Sequence, residues 1–140
     1  MSNIRFPGFI PNDQIASWIN IADVAIYFPN LEVTRWKTKS GQAIEYIKPL
    51  KFIEYMMMGK PIVTLYIEDM VEEVKEAGGG VFVKKPDYQL FAKEIIELPK
   101  DPDRRRKMGQ SAREYALQNC TLDVVIKKRV EIINRLLAER

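Results

Sequence analysis

Between residues 23 and 84 the chain alternates short apolar runs with helix-patterned segments, and this alternation limits the fold more than any other feature. DVAIYFP, Asp23 to Pro29, is an almost unbroken apolar run stopped by proline, the pattern of a strand buried on both faces. PIVTLY from Pro61 and VFVK from Val81 predict two further strands. Between them lie KPLKFIEYMMMGK, a short helix, and EDMVEEVKEA, a second helix ended by Gly78-Gly79-Gly80. Pro49 suits the first helical position, where its missing N–H is not needed, and Gly59 suits the stop. Strands joined through helices pair in parallel, so the prediction is α/β.

The flanks extend the same reading. Asn3 to Phe6 predicts a short strand ending at a Pro-Gly turn, and PNDQIASWINIA an amphipathic helix with Ile15, Trp18 and Ile19 at helical spacing. NLEVTRWKTKSGQAIEYIK has no clear period, and a loop that long in a compact domain is commonly functional or mobile. PDYQLFAKEIIEL predicts a helix starting at Pro86 or Asp87. DPDRRRKMGQSAREYALQNC predicts another, capped by Asp101 with Pro102 in its first turn. A last helix begins at Thr121, with Ile126, Val130, Ile133 and Leu137 in one stripe that Val125, Ile132 and Leu136 widen. Residues 1–140 are thus expected to form one three-layer α/β/α Rossmann-like domain with a mainly parallel sheet of about four strands.

Composition closes off several functions. The 46% hydrophobic and 29% charged fractions are those of a globular protein, and no run approaches the ~18 apolar residues of a membrane span. The first residues, MSNIRFPGFIPN, lack the basic start and apolar core of a signal peptide. A lone cysteine, Cys120, fits a reducing cytosol, so a cytoplasmic location is expected. With no histidine, His-dependent zinc sites and Ser-His or Cys-His catalysis are excluded, and no metal is expected. The net charge of +3 is too small to imply nucleic acid. Arg104-Arg105-Arg106-Lys107 would point all around a helix, which predicts a solvated surface.

The candidate chemistry centres on Glu54. At about 100° per residue, Leu50, Phe52, Ile53, Met56 and Met57 share the core side of their helix. Lys51, Tyr55 and Met58 lie opposite, with Glu54 at the boundary. One reading makes Lys51 and Glu54 an exposed pair worth ~0.2–0.5 kcal/mol. The other uses position, because ligands of open parallel sheets sit beyond the carboxyl ends of the strands. There a carboxylate one turn into a helix can accept two ribose hydroxyls while first-turn N–H groups meet phosphate, helped by Lys48 and Lys51. Tyr46 and Trp36 are candidates to stack on a base or sugar; Glu32 and Glu45 are loop acids of the solvated kind. No Gly-rich phosphate loop is present, and the triple glycine reads as a helix stop and turn.

Four segments together resemble the group 1 (family 4) glycosyltransferases, in order and over nearly the whole chain. FPGFIPNDQIASWINIADVAIYFPN is similar to a strand, helix and a-D-v-x-l-x-P stretch of that family. KPLKFIEYMMMGKPIVT resembles P-x-K-x-x-E-y-m-a-x-G-k-P-v-v, EAGGGVFVKKPDYQLFAKEIIEL resembles G-x-G-x-l-v-x-p-x-d, and KDPDRRRKMGQSAREYA resembles d-p-x-x-r-x-k-m-g. The resemblance implies the GT-B fold and transfer of a sugar from a UDP, GDP or ADP donor, without a bound metal or other cofactor. It implies that Glu54 holds the donor ribose, and that Leu50 and Lys51 stand where backbone approaches the donor. Lys48, Pro49 and Tyr46 complete the implied nucleotide-sugar set. The first acid of the family's paired-glutamate motif falls at Tyr46, which is no acid, and Glu45 is one residue off register.

Set against the family's six strands in order 3-2-1-4-5-6, the motifs here match only the third to the sixth. The first two strands, an Arg and Lys pair for the diphosphate and the acceptor domain have no counterpart. Either Ile4 to Phe6 pairs with Val24 to Tyr27, or another chain fills the gap. The resemblance therefore implies a donor-domain fragment that is inactive without a complementary half. The alternatives are a non-catalytic oligomeric relic or assembly module, and a nucleotide-sugar 2-epimerase-like enzyme, which the lack of histidine disfavours.

Overall fold

A computed structural model describes residues 3–28, 50–65, 74–84 and 87–139, with the backbone of 36–37 and 43–44. In chain order the elements are α1 (Asn12–Asn20), β1 (Ala25–Tyr27), β2 (Trp36–Lys37), β3 (Ala43–Ile44), α2 (Leu50–Met57), β4 (Ile62–Leu65) and β5 (Gly80–Val83). Then come α3 (Tyr88–Glu97), a 3-10 turn at Leu98–Lys100, α4 (Pro102–Asn119) and α5 (Leu122–Ala138). A helical turn at 74–76 precedes β5.

The main sheet has the order β1-β4-β5 and is parallel throughout, with Ala25 opposite Ile62 and Ile62 opposite Gly80. All four residues of β4 are buried, as a central strand covered on both faces requires. Its side chains alternate between two cores. Ile62 joins Ala25, Phe52, Met56 and Val74 on one face, while Val63 and Leu65 join Val83, Phe91 and Leu98 on the other. Helices on both faces give the expected α/β/α layering.

The strand expected at Asn3 to Phe6 is absent. Residues 4–10 are irregular, Phe6 is 91% exposed, and β1 has no strand on its outer side among the described residues. Among the described residues the parallel sheet accordingly has three strands, where about four are expected. Within the unpatterned loop, Trp36–Lys37 and Ala43–Ile44 pair antiparallel, a short hairpin that its composition did not announce.

Two helix stops fix how α2 and the turn at 74–76 feed the sheet. Gly59 (φ +63°) accepts the left-handed turn; its N–H donates to the Met56 carbonyl and that of Lys60 to Tyr55, a Schellman pair. Gly78 (φ +62°) repeats the motif, with Gly78 donating to Lys75 and Gly79 to Val74. Helix α4 then crosses both stops. Gly109 lies so close to the Gly59 carbonyl that no Cβ fits between them. A Cβ on Gly79 would fall 2.6 Å from that of Ala112. The triple glycine is therefore a helix stop and a close helix crossing.

Helix α4 starts as its sequence predicts. The Asp101 carboxylate accepts from the Arg104 N–H at 2.9 Å, with Pro102 in the first turn. Asp87 likewise caps α3 by accepting from Leu90 at 2.9 Å. Thr121 precedes α5 but makes no side-chain cap.

Candidate functional site

Because β1 and β4 are parallel and α2 connects them, the start of α2 lies toward the carboxyl ends of the strands and Gly59 toward their amino ends. Glu54 stands one turn inside α2. Phe52 and Met56 are its buried residues, and Tyr55 packs partly against the same core. The buried face is thus turned toward Tyr55 relative to the wheel, and Glu54 points directly away from it, exposed. Leu50, placed on the core side by the wheel, is 73% exposed because the first residue of the helix reaches past the sheet's cover.

Lys51 and Glu54 are both exposed and form no ion pair with each other within 4.0 Å. Glu54 makes no hydrogen bond or ion pair with any described residue. Tyr46, Lys48 and Pro49 lie outside the described residues, as do Glu32 and Glu45, and of Trp36 only the backbone is described. Leu50, Lys51 and Glu54 are thus the members of the expected set that can be placed, and they share the first turns of α2.

Helix α1 adds something the sequence did not suggest. It faces α2 across two clefts that meet at Glu54. One, of about 360 Å³, is walled by Ile15, Trp18, Ile19, Lys51, Glu54 and Tyr55, with Ile10, Ala22 and Ala25 beyond. The other, of about 500 Å³, runs between Ile15 and Ile19 on α1 and Ile53, Glu54, Met57 and Met58 on α2. The apolar residues expected to bury α1 therefore line clefts instead: α1 has no buried residue, and Trp18 is 44% exposed.

Beneath Glu54 the helix is braced by aromatic packing and by α4. Tyr27 meets Phe52 edge-to-face at 5.0 Å between centroids. Burial raises the Tyr27 phenol above its ordinary pKa. It does the same for Tyr55, where the neighbouring Glu54 carboxylate and Tyr27 add to the effect. Both phenols thus stay neutral at ordinary pH. Arg113 donates to the Met57 carbonyl at 2.6 Å, satisfying one of the acceptors that the end of α2 leaves open. Phe28 follows β1 and stacks on Tyr88 at 6.0 Å.

The basic run belongs to the opposite, amino end of the sheet. Arg105 is half-buried and pairs with Asp23 at 2.7 Å, Arg104 with Glu94 at 3.3 Å and Arg106 with Asp103 at 3.4 Å. Arg105 and Arg106 border a small hollow with Lys60, which itself donates to the Asn20 carbonyl at 2.8 Å. Instead of a uniformly solvated face, this run ties α4 to β1 and α3. Among the described residues no cluster of three metal-binding side chains occurs, and no helix is long and apolar enough to cross a membrane.

Comparison with known proteins agrees with the layout of segments. A family model described as Glycosyl transferases group 1 matches residues 2–115. No curated protein and no solved structure matches the chain.

Proposed function

Because the chain belongs to the group 1 glycosyltransferases, we propose that it serves as the donor-binding part of a sugar-transfer enzyme and takes a nucleotide sugar at the start of α2. Glu54 accepts hydrogen bonds from the ribose hydroxyls. The first-turn N–H groups of α2 face the diphosphate, with Lys51 and Lys48 supplying charge. Leu50, Pro49 and Tyr46 line the approach.

The observation that carries this reading is the setting of Glu54: an exposed carboxylate with no described partner, one turn into a helix whose start lies toward the carboxyl ends of parallel strands. A carboxylate accepts two hydroxyls of a vicinal diol without distortion, whereas phosphate would be repelled by it. The role of Glu54 is positioning. Sugar transfer itself needs an acceptor wall, which in this reading a complementary polypeptide or further segment supplies. A non-catalytic assembly module is the competing reading, favoured by the apolar walls that α1 presents to Glu54.

Thermal unfolding with UDP, GDP and ADP at millimolar concentration separates the two. A nucleotide at ~100 times its Kd stabilises by ~2.7 kcal/mol. The expected result is a rise in Tm with one of the three nucleotides, lost in Glu54→Gln. An equal rise in Glu54→Gln would remove Glu54 from the site, and no rise with any nucleotide would favour the assembly module.

A further inference from the structure

Helix α5 has an apolar stripe and almost nothing to pack it on. Val124 and Val125 in its first turns are partly covered, but every residue from Ile126 to Glu139 is exposed. Leu122, Ile126, Val130, Ile133, Leu136 and Leu137 are each between 48% and 72% exposed. Together they present on the order of 600 Å² of apolar surface, at the upper end for an isolated monomer and close to the ~800 Å² per partner of a standard interface.

We infer that α5 is a self-association helix, and that its occupant is α5 of a second copy of this chain, paired antiparallel. Ile126, Val130, Ile133 and Leu137 recur at alternating steps of four and three, the spacing of a two-helix seam. Leu122 and Leu136 widen it along one side. With 17 residues the helix is about 25 Å long, enough for the seam to run its whole length. An antiparallel pair about a two-fold axis sets Val130 against Ile133 of the second copy and Ile126 against Leu137.

Charge selects that direction. Lys127, Lys128 and Arg129 outweigh Asp123 in the first half of the helix, while in the second half and its cap Glu131 and Glu139 outweigh Arg135. A parallel pair would place the two basic runs side by side. The antiparallel pair lays each run along the carboxyl half of the other helix, where the helix dipole is negative. The seam is isologous, so it closes as a dimer.

Sedimentation equilibrium on the whole chain from micromolar to submillimolar concentration tests this. The expected result is a monomer–dimer equilibrium that Val130→Asp and Ile133→Asp each weaken by at least about tenfold. Lys128→Gln and Glu131→Gln, off the seam, should leave it unchanged. Both aspartate positions are already exposed, so circular dichroism should show α5 intact in the variants. A monomer at every concentration, or a dimer indifferent to both aspartates, would overturn the proposal. Spin labels in Cys120→Ser chains read the direction. A label at position 131 should lie close to its twin, and one at 139 should be displaced from its twin by more than about 20 Å along the axis. A short separation at 139 would overturn the antiparallel arrangement.

Discussion

Helices α2 and α5 carry equally clear apolar stripes and meet opposite fates. In α2, Phe52 and Met56 are buried between the sheet and α4, two turns of helix held by Gly59 at one end and by the Arg113 bond to Met57. In α5, and likewise in α1, no residue is buried. An amphipathic stripe marks a helix's apolar side, but only a neighbouring apolar surface makes that side core. The contrast divides the protein into a stabilising body, β1-β4-β5 with α2, α3 and α4, and two flanking helices whose apolar sides remain open to other partners.

The sharpest way to break this division is by mutation on the two sides. Met56→Ala should cost about 2–5 kcal/mol by opening a cavity, and Gly109→Ala about 3 kcal/mol by forcing α4 off Gly59. Leu137→Ala, measured at concentrations where the chain is monomeric, should stay within about 0.5 kcal/mol. Denaturant unfolding gives all three values. Comparable losses on both sides would abolish the division.

Glycines refine it. Gly59, Gly78 and Gly8 all have positive φ, at +63°, +62° and +76°. In the body, Gly59→Ala and Gly78→Ala should each cost about 1–2 kcal/mol, the strain of a left-handed backbone. Gly8 lies in the irregular segment with nothing within 4 Å of an added Cβ. That segment can relax, so Gly8→Ala should barely move Tm. A smaller effect of about 1 kcal/mol is expected for Asp101→Ala, which removes the α4 cap; a loss below the Gly8→Ala level would argue that α4 is held entirely by its packing.

The smallest expected effect is a pH dependence. The folded pKa values of Tyr27 and Tyr55 are raised above the ordinary 10.0. The stability this contributes is present below pH 10 and is lost as pH rises through the folded values, because the unfolded chain releases those protons first. Tm should therefore decline above pH 10, less steeply in Tyr55→Phe, and also less steeply in Glu54→Gln, which removes a charge that raises Tyr55. An unchanged slope in Tyr55→Phe would show that Tyr55 is solvated in the folded chain.

The body was legible where one local rule decided the outcome. A continuous apolar run implies a strand covered on both faces. All three runs formed parallel strands, but only β4 is covered throughout, while β1 at the sheet's edge leaves Ile26 exposed and β5 is fully buried only at Val83. Gly59, Asp87 and Asp101 act at helix ends through bonds within a few residues, so their spacing sufficed. Asn3 to Phe6 failed because a strand needs a neighbouring edge, which its own residues cannot supply. Arg105 was misjudged because its partner, Asp23, is distant in sequence and meets it only through the fold. At the candidate site, helical period placed Glu54 only at the boundary of the buried face. Its full exposure came from the packing of Tyr55 against the core, which turns that face away from Glu54. The placement of α1 opposite it was not legible either, since α1 carries an ordinary core-like stripe that ends up lining clefts.

The central claim is that Glu54 holds a ribose, and calorimetric titration of UDP, GDP and ADP with their 2′-deoxy and 3′-deoxy counterparts tests it most directly. In the wild type, removing a contacted hydroxyl from the nucleotide that binds should weaken it by about tenfold or more, as for a hydrogen bond to a charged group. In Glu54→Gln the same removal should cost much less, since the two changes delete one interaction. Equal losses in both proteins, or no binding of any of the three, would contradict the account.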